Sequence, residues 1–464
     1  MSRAAALIWI LIALILGLVV WFTTPRAVLP SASAQFLPDF SPAEVTQIDL
    51  GWPGGETARL SKSDSRWILQ ARPANVSDAS TQTPALPPWP AESSRVQGLL
   101  RLIYEAREGA DAQAMPSAIF LTLLRERGDP VRLAIDPNTL GGAGRIARLT
   151  SDGRVQAVAA IDEQFVRALE SSAIESWRSK DLLYWPPQAT TGFDSRAGTD
   201  SIELIKAGGT WIMQAPIAVK ADAATVEGSL LLLSKSAVDR FLPAQSPRDE
   251  AWKEPARIIR LASRSNANTN RLDIEQTIQV GPAIDSTSRM VRITATDLAA
   301  KSILWGPEIA IVNSSTLEAI PSAPNAFISR RSLDLPAADI GAIQIESPGN
   351  VAIVKRAADG TFGAADAPIR DLLRLLSETP ATQIRILESA SPPDTGNDSI
   401  RIRALGPNSE PLGEFVIQVA SVTSKTTGAP PAPALEIVDR LVARSVPWQR
   451  PTDFVAALRA IKAN

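Results

Sequence analysis

The sequence predicts an α+β fold: three tandem repeated units of mainly antiparallel strands with amphipathic helices, preceded by one transmembrane helix. Three observations carry this expectation. Ala4 to Phe22, AAALIWILIALILGLVVWF, is apolar and uncharged, close to the roughly 20 residues that cross a bilayer core as a helix. Ser201 to Gln214, SIELIKAGGTWIMQ, has an upstream copy in Glu56 to Gln70, ETARLSKSDSRWILQ, and in both a Lys precedes a Trp by five positions, Lys62 to Trp67 and Lys206 to Trp211. Each copy alternates as two strands about a tight turn, Asp64-Ser65 or Gly208-Gly209, and leads to a helix-periodic segment. The same order of elements then recurs a third time.

Residues 1–40 are read as anchor and linker. Ala32-Ser33-Ala34 has the small residues of a cleavage site, but the apolar run exceeds the about 7 to 15 residues of a signal peptide, so retention is expected. Arg3 and Arg26 flank the run almost evenly, which leaves orientation to the short tail and the large domain behind it. The bulk of the chain is therefore expected to be extracytoplasmic, on a single-pass membrane protein.

Unit 1 spans residues 41–190. Val45 to Leu50 alternates as a half-buried strand and runs into the first Lys/Trp hairpin, and the Pro-rich stretch Arg72 to Glu92 is a loop. Ser93 or Ser94 caps a helix with Val96, Leu99, Leu100, Ile103 and Tyr104 on one face. Strands follow at Val131 to Ile135, Arg145 to Leu149 and Val155 to Ile161, then a short helix at Glu163 to Ala173 and the closure Trp177-Arg178-Ser179-Lys180-Asp181-Leu182-Leu183. Gly141-Gly142-Ala143-Gly144 lacks the Lys-Ser/Thr of a phosphate-binding loop and precedes a strand, so it is read as a plain loop.

Unit 2, residues 191–336, keeps the order. Asp222 caps a helix carrying Val226, Leu230, Leu231 and Leu233; strands follow at Ile258 to Leu261, Thr277 to Gly281, Met290 to Thr294 and Glu308 to Val312; Phe327 stands where Trp177 closes unit 1. Unit 3, residues 337–464, is the most divergent. Phe362 takes the place of the hairpin tryptophan, Ile369, Leu372, Leu373 and Leu376 line its helix, and Trp448 is the closing aromatic. For all these aromatics the leading reading is a core plug, since a large side chain at one position of successive units is better suited to packing than to a ligand platform.

Composition narrows function. The chain has no Cys and no His, which removes thiolate nucleophiles, Cys/His zinc sites and imidazole bases. The balance of 47 basic against 49 acidic residues, without long basic tracts, makes nucleic acid an unsuitable partner. Acidic residues are scattered and form no calcium loop, so no metal, cofactor or catalytic residue is proposed. Ser61-Lys62 and Ser234-Lys235 could start a Ser/Lys hydrolase only as S-x-x-K on a helix, which neither forms.

The anchor followed by repeated "strand, Lys, turn, Trp-Ile-Leu, Pro, amphipathic helix" units resembles the family known as domain of unknown function 4340. The match rests on Lys62 to Gln70 with Val96 to Tyr104, Lys206 to Gln214 with Val226 to Leu233, and the Trp177 closure; unit 3 departs by lacking the tryptophan. The resemblance implies a bacterial envelope protein of the kind found beside gliding-motility-type ABC transporters. It offers no catalytic residue. The expectation is a non-enzymatic, membrane-tethered scaffold or accessory subunit. Its expected partners are inner-membrane lipid, through the N-terminal helix, and an ABC-type permease. The alternatives are a binding module for cell-wall glycan or lipid, or the Ser/Lys hydrolase.

Overall fold

A computed structural model describes residues 35–461 apart from 54, 64–65, 73–86, 110–117, 137–143, 162–173, 243–251, 265–272, 334–335, 348, 388–398, 423–431 and 440. The chain forms two compact units, Met1–Ser179 and Lys180–Asn464. The first holds one sheet and the second holds two.

Sheet 1 contains β1 (Val45–Gly51), β2 (Thr57–Ser63), β3 (Arg66–Arg72), β4 (Trp89–Pro90), β5 (Ile119–Arg125), β6 (Val131–Asp136), β7 (Gly144–Leu149) and β8 (Val155–Ile161). Their spatial order is β4-β3-β2-β1-β5-β6-β7-β8, and each ladder is antiparallel. Helix α1 (Ser93–Glu105) buries Val96, Leu99, Leu100 and Ile103 in one core with Ile48, Leu60, Leu69, Leu121 and Leu133. Tyr104, expected on that buried face, is 45 % exposed. The expected serine cap is also corrected: Glu92 is the N-cap residue and makes no side-chain cap, while the Ser94 hydroxyl donates to the Glu92 carboxylate at 2.7 Å.

Sheet 2 contains β9 (Gly192–Ala197), β10 (Asp200–Ala207), β11 (Thr210–Ala215), β12 (Val219–Lys220), β13 (Val238–Phe241), β14 (Arg257–Ser263), β15 (Ile274–Ala283), β16 (Ser288–Asp297) and β17 (Ser302–Asn313), ordered β12-β11-β10-β9-β14-β15-β16-β17-β13. The β10–β11 turn needs positive φ at both central positions, and Gly208 and Gly209 supply 56° and 83°. Helix α2 (Ala223–Lys235) is capped as expected, with the Asp222 carboxylate accepting from the Ala224 N–H at 3.1 Å. It buries Val226, Leu230 and Leu233, whereas Leu231 is 46 % exposed. Helix α3 (Ser314–Ala319) follows β17.

Sheet 3 contains β18 (Ala342–Ser347), β19 (Asn350–Lys355), β20 (Gln383–Ile386), β21 (Ser399–Leu405), β22 (Pro411–Val422), β23 (Ala432–Asp439) and β24 (Val442–Pro447), ordered β19-β18-β21-β22-β23-β24-β20. Helices α4 (Asp366–Ser377) and α5 (Pro451–Arg459) share its core through Ile369, Leu372, Leu376, Phe454 and Leu458. Among the described residues the sheet ends at β19 with no counterpart of β11 or β12, so the likeness among the three sheets is only partial.

These elements correct the fold class. The described part of the protein is a β-rich fold of three antiparallel sheets, not α+β. Sheets of 8, 9 and 7 strands dominate, and the longest described helices, α1 and α2, have 13 residues each, enough to cover part of one sheet face. Among the described residues no helix is long and apolar enough to cross a membrane; Ala4–Phe22, the turn Asp64-Ser65, Gly141 to Ala143 and the expected helix at 163–173 lie outside those residues. Part of the shift comes from strands absent from the sequence reading. In β5, IFLTLLR, apolar residues face both sides, leaving no alternation to read. Strands β13 and β20 have four residues each, too few to show a period.

Candidate functional site

The five-residue spacing of Lys and Trp acquires a geometric meaning in the hairpins. Lys62 pairs directly with Trp67 across β2 and β3, and Lys206 with Trp211 across β10 and β11. Direct antiparallel partners project to the same face. In sheet 2 the Lys206 ammonium sits 5.5 Å from the Trp211 ring centroid and 3.8 Å from the Glu227 carboxylate. Sheet 3 repeats the motif by other means: the Arg356 guanidinium lies 5.4 Å from the ring of Phe362, which is buried but sits on a turn just before Gly363–Ala365 rather than on a strand. Cations over aromatic faces also occur at Trp177, with Arg95 at 4.8 Å, and at Trp448, with Arg374 at 5.6 Å.

The closing aromatics lock helix starts. The Glu92 N–H donates to the Trp177 carbonyl at 2.8 Å, and the Asp222 N–H donates to the Phe327 carbonyl at 2.8 Å. Trp177 and Phe327 are fully buried. Trp448 differs: it is partly buried, stacks on Phe454 at 5.1 Å, and its N–H donates to the Pro433 carbonyl. The eight singled-out residues, Lys62, Trp67, Lys206, Trp211, Phe362, Trp177, Phe327 and Trp448, are thus spread over three sheets and do not converge. Of the residues of the hydrolase alternative, the Ser234 hydroxyl donates to the Leu231 carbonyl at 2.9 Å and the Lys62 ammonium donates to the Ala43 carbonyl at 3.4 Å.

What does converge is a cleft of about 1120 Å³ in the second unit, where Pro216 to Lys220 and Ser329 to Leu333 face the ends of β21, β22 and β24. Lys220, Arg331, Arg401, Arg403 and Arg444 line it against Glu414 and Asp439, five cations to two anions. Arg403 reaches Glu346 at 3.0 Å and Glu414 at 3.3 Å, and Arg401 reaches Glu414 at 3.5 Å, so these two guanidiniums are answered within the sheet. Arg444 is only 2 % exposed; its Nε donates to the Ser329 carbonyl at 3.0 Å, while its Nη1 finds no partner. Burial pushes its pKa down, against the pull of Asp439.

A second buried arginine, Arg257 of β14, is by contrast fully engaged. Its Nε donates to the Ser195 hydroxyl at 2.9 Å, Nη1 to the Ile320 carbonyl at 2.7 Å, and Nη2 to the Pro321 carbonyl at 2.6 Å. Desolvation lowers its pKa to about 10. Neither arginine was singled out from the sequence, although a signal existed. Arg257 shares one side of β14 with Ile259 and Leu261, and Arg444 shares one side of β24 with Val442 and Val446, so each is a charge in an apolar row.

Among the described residues no group of three or more acidic side chains is arranged to hold a metal ion. The cleft can receive carboxylate or other anionic groups along an extended contact. In comparisons with known proteins, the chain matches no family model and no curated protein.

Proposed function

We propose that this protein is a non-enzymatic, extracytoplasmic accessory subunit that works by protein contacts at a membrane complex, an ABC-type permease. One observation carries the reading: the recurring aromatics Trp67, Trp177, Trp211, Phe327 and Phe362 are buried in the cores, while five cationic side chains and two acidic ones line one broad cleft. Such a surface suits recognition of an acidic partner segment. The resemblance to the domain of unknown function 4340 points the same way. A place at the cytoplasmic membrane rests on the apolar run Ala4–Phe22, which lies outside the described residues.

Crosslinking in intact cells followed by detergent pull-down tests the reading and should recover an integral membrane complex with permease subunits. Turnover of a cell-wall or ester substrate by the purified protein, abolished by one Ser or Lys substitution, would overturn it. Mass spectrometry of the extracted chain addresses location, since a mature terminus at Gln35 would remove the anchoring run.

A further inference from the structure

A sheet edge is a row of unpaired backbone donors and acceptors, and folded proteins blunt such rows. Among the described residues, five of the six sheet edges are blunted. Strands β4 and β12 are two residues long. The β8 edge is met by Glu108 and Gly109, whose N–H donates to the Val158 carbonyl. Ahead of β13, Ala237 bridges Asp181 and the Val238 N–H donates to Lys180. On β20 the Asn325 amide donates to the Ile384 carbonyl at 3.3 Å.

The sixth edge, β19, is six residues long and has no second neighbour among the described strands. Its register with β18 pairs Ser347 with Asn350 and Ile345 with Ala352, and the Arg356 N–H donates to Gly341 in the same phase. Even-numbered residues therefore bond to β18, and the backbone groups of Val351, Ile353 and Lys355 point outward. The side chains of Val351 and Ile353 are 56 % and 45 % exposed. In sheet 2 the equivalent flank of β10 is taken by β11. The position is built to be paired, and among the described residues sheet 3 has no strand that pairs it.

We infer that β19 pairs antiparallel with β19 of a second copy of this chain, joining two copies of sheet 3 into one continuous sheet about a two-fold axis. The strand is self-complementary. Centred on Ala352, outward-bonding residues meet outward-bonding residues, with Val351 opposite the partner's Ile353, so the two exposed apolar stripes merge. Each Lys355 falls opposite the partner's Gly349, so like charges stay apart, as cross-strand pairing requires. Ile353→Lys would place a charge in that stripe without touching the β18 bonds.

The full chain, extracted in mild detergent, should show a concentration-dependent dimer by sedimentation equilibrium, and Ile353→Lys should weaken it about tenfold or more. Because the chain has no cysteine, Val351→Cys with a short bismaleimide gives a second readout in intact cells that does not depend on the charged variant folding. A covalent dimer is expected, against none from Val155→Cys, a comparably exposed position on β8. A monomer at every accessible concentration, equal crosslinking from both cysteine variants, or a crosslink only to a different protein would overturn the inference. The accessory reading is independent: a dimer without a permease in the pull-down refutes only that reading, and a permease without a dimer refutes only this one.

Discussion

Strands β10 of sheet 2 and β19 of sheet 3 hold the same place, each the antiparallel neighbour of the strand at which its unit's sheet begins. Beyond that point they differ. From β10 the chain turns through Gly208-Gly209 into β11, sets Trp211 over the core and adds β12 before α2 starts. From β19 it turns after Arg356, drops Phe362 into the core and enters α4 at Asp366, with no further strand. The cation-over-ring contact survives this shortening, at 5.5 Å in one sheet and 5.4 Å in the other, although the spacing changes from Lys206–Trp211 to Arg356–Phe362. Plugging the core and closing the edge are therefore separable tasks. Sheet 2 does both with one strand, and sheet 3 does only the first.

The sharpest test of that equivalence is truncation. Trp211→Ala and Phe362→Ala should each destabilise by about 3–5 kcal/mol through lost burial and the cavity left behind, with tryptophan at the upper end. Denaturant unfolding of both variants reads this directly. A cost below about 1 kcal/mol at Phe362 would show that it merely covers the core edge and that sheet 3 has no plug of its own.

The two buried arginines separate next. Arg257→Leu strands the Ser195 hydroxyl and the carbonyls of Ile320 and Pro321, which end α3, and should cost about 3 kcal/mol because several buried acceptors lose a charged donor at once. Arg444→Leu strands one carbonyl and removes a desolvated charge, so the expected cost is about 1 kcal/mol or less. Equal losses in urea unfolding would mean that Arg444 is a structural staple like Arg257. A small loss combined with weaker permease recovery would mark Arg444 as part of the contact surface.

Lys206→Gln and Arg356→Gln, each compared with the double variant that also changes the ring to leucine, should give coupling of about 0.5–1 kcal/mol in both sheets. Coupling in sheet 2 alone would break the correspondence of the two ring–cation pairs.

How far these regions were legible beforehand depends on period and length. The Lys/Trp hairpin was readable because alternation and a Gly-Gly turn agree over fourteen residues, Ser201 to Gln214. The one-faced helices were readable at Val96, Leu99, Ile103, Val226, Leu230 and Leu233, but their outer members Tyr104 and Leu231 were not, since a 3.6-residue stripe does not say how wide the covering sheet is. Strand β5 carried no period, β13 and β20 were too short, and β-rich character went unrecognised for that reason. The cleft had no sequence signature because Lys220, Arg331, Arg403 and Arg444 come from separate elements; only the charge interrupting the apolar row of β24 could have flagged it. The open edge of β19 was not legible, because Phe362 was read in the place of the hairpin tryptophan, and exposure of Val351 and Ile353 is a property of the folded sheet.

The smallest effect expected concerns charge on the face beside these edges. In sheet 2, Asp194 of β9 stands between Glu203 of β10 and Arg260 of β14, while the corresponding row of sheet 3 runs Ile353, Gln344, Arg403. Burial raises the Asp194 pKa, Glu203 and Glu275 add to the rise, and Arg260 and Arg196 oppose it. A carboxyl whose folded pKa exceeds its unfolded value holds its proton longer in the folded state. Its contribution to stability is therefore complete below the ordinary carboxylate value near 3.8 and is lost as pH rises through the higher folded value, the reverse of an ion-paired aspartate. Asp194→Asn should leave the protein as stable as the parent or slightly more so at neutral pH, and it should flatten the decline on the mildly acidic side. Gln344→Asp, which writes the sheet 2 arrangement into sheet 3, should bring a decline of the same sign, because the Gln344 amide donates to the Glu346 carboxylate at 2.7 Å and an aspartate there would meet a second carboxylate as Asp194 meets Glu203. Thermal unfolding of the parent and both variants across that acidic window decides the point: a decline that persists in Asp194→Asn would place its origin outside the Asp194–Glu203 pair.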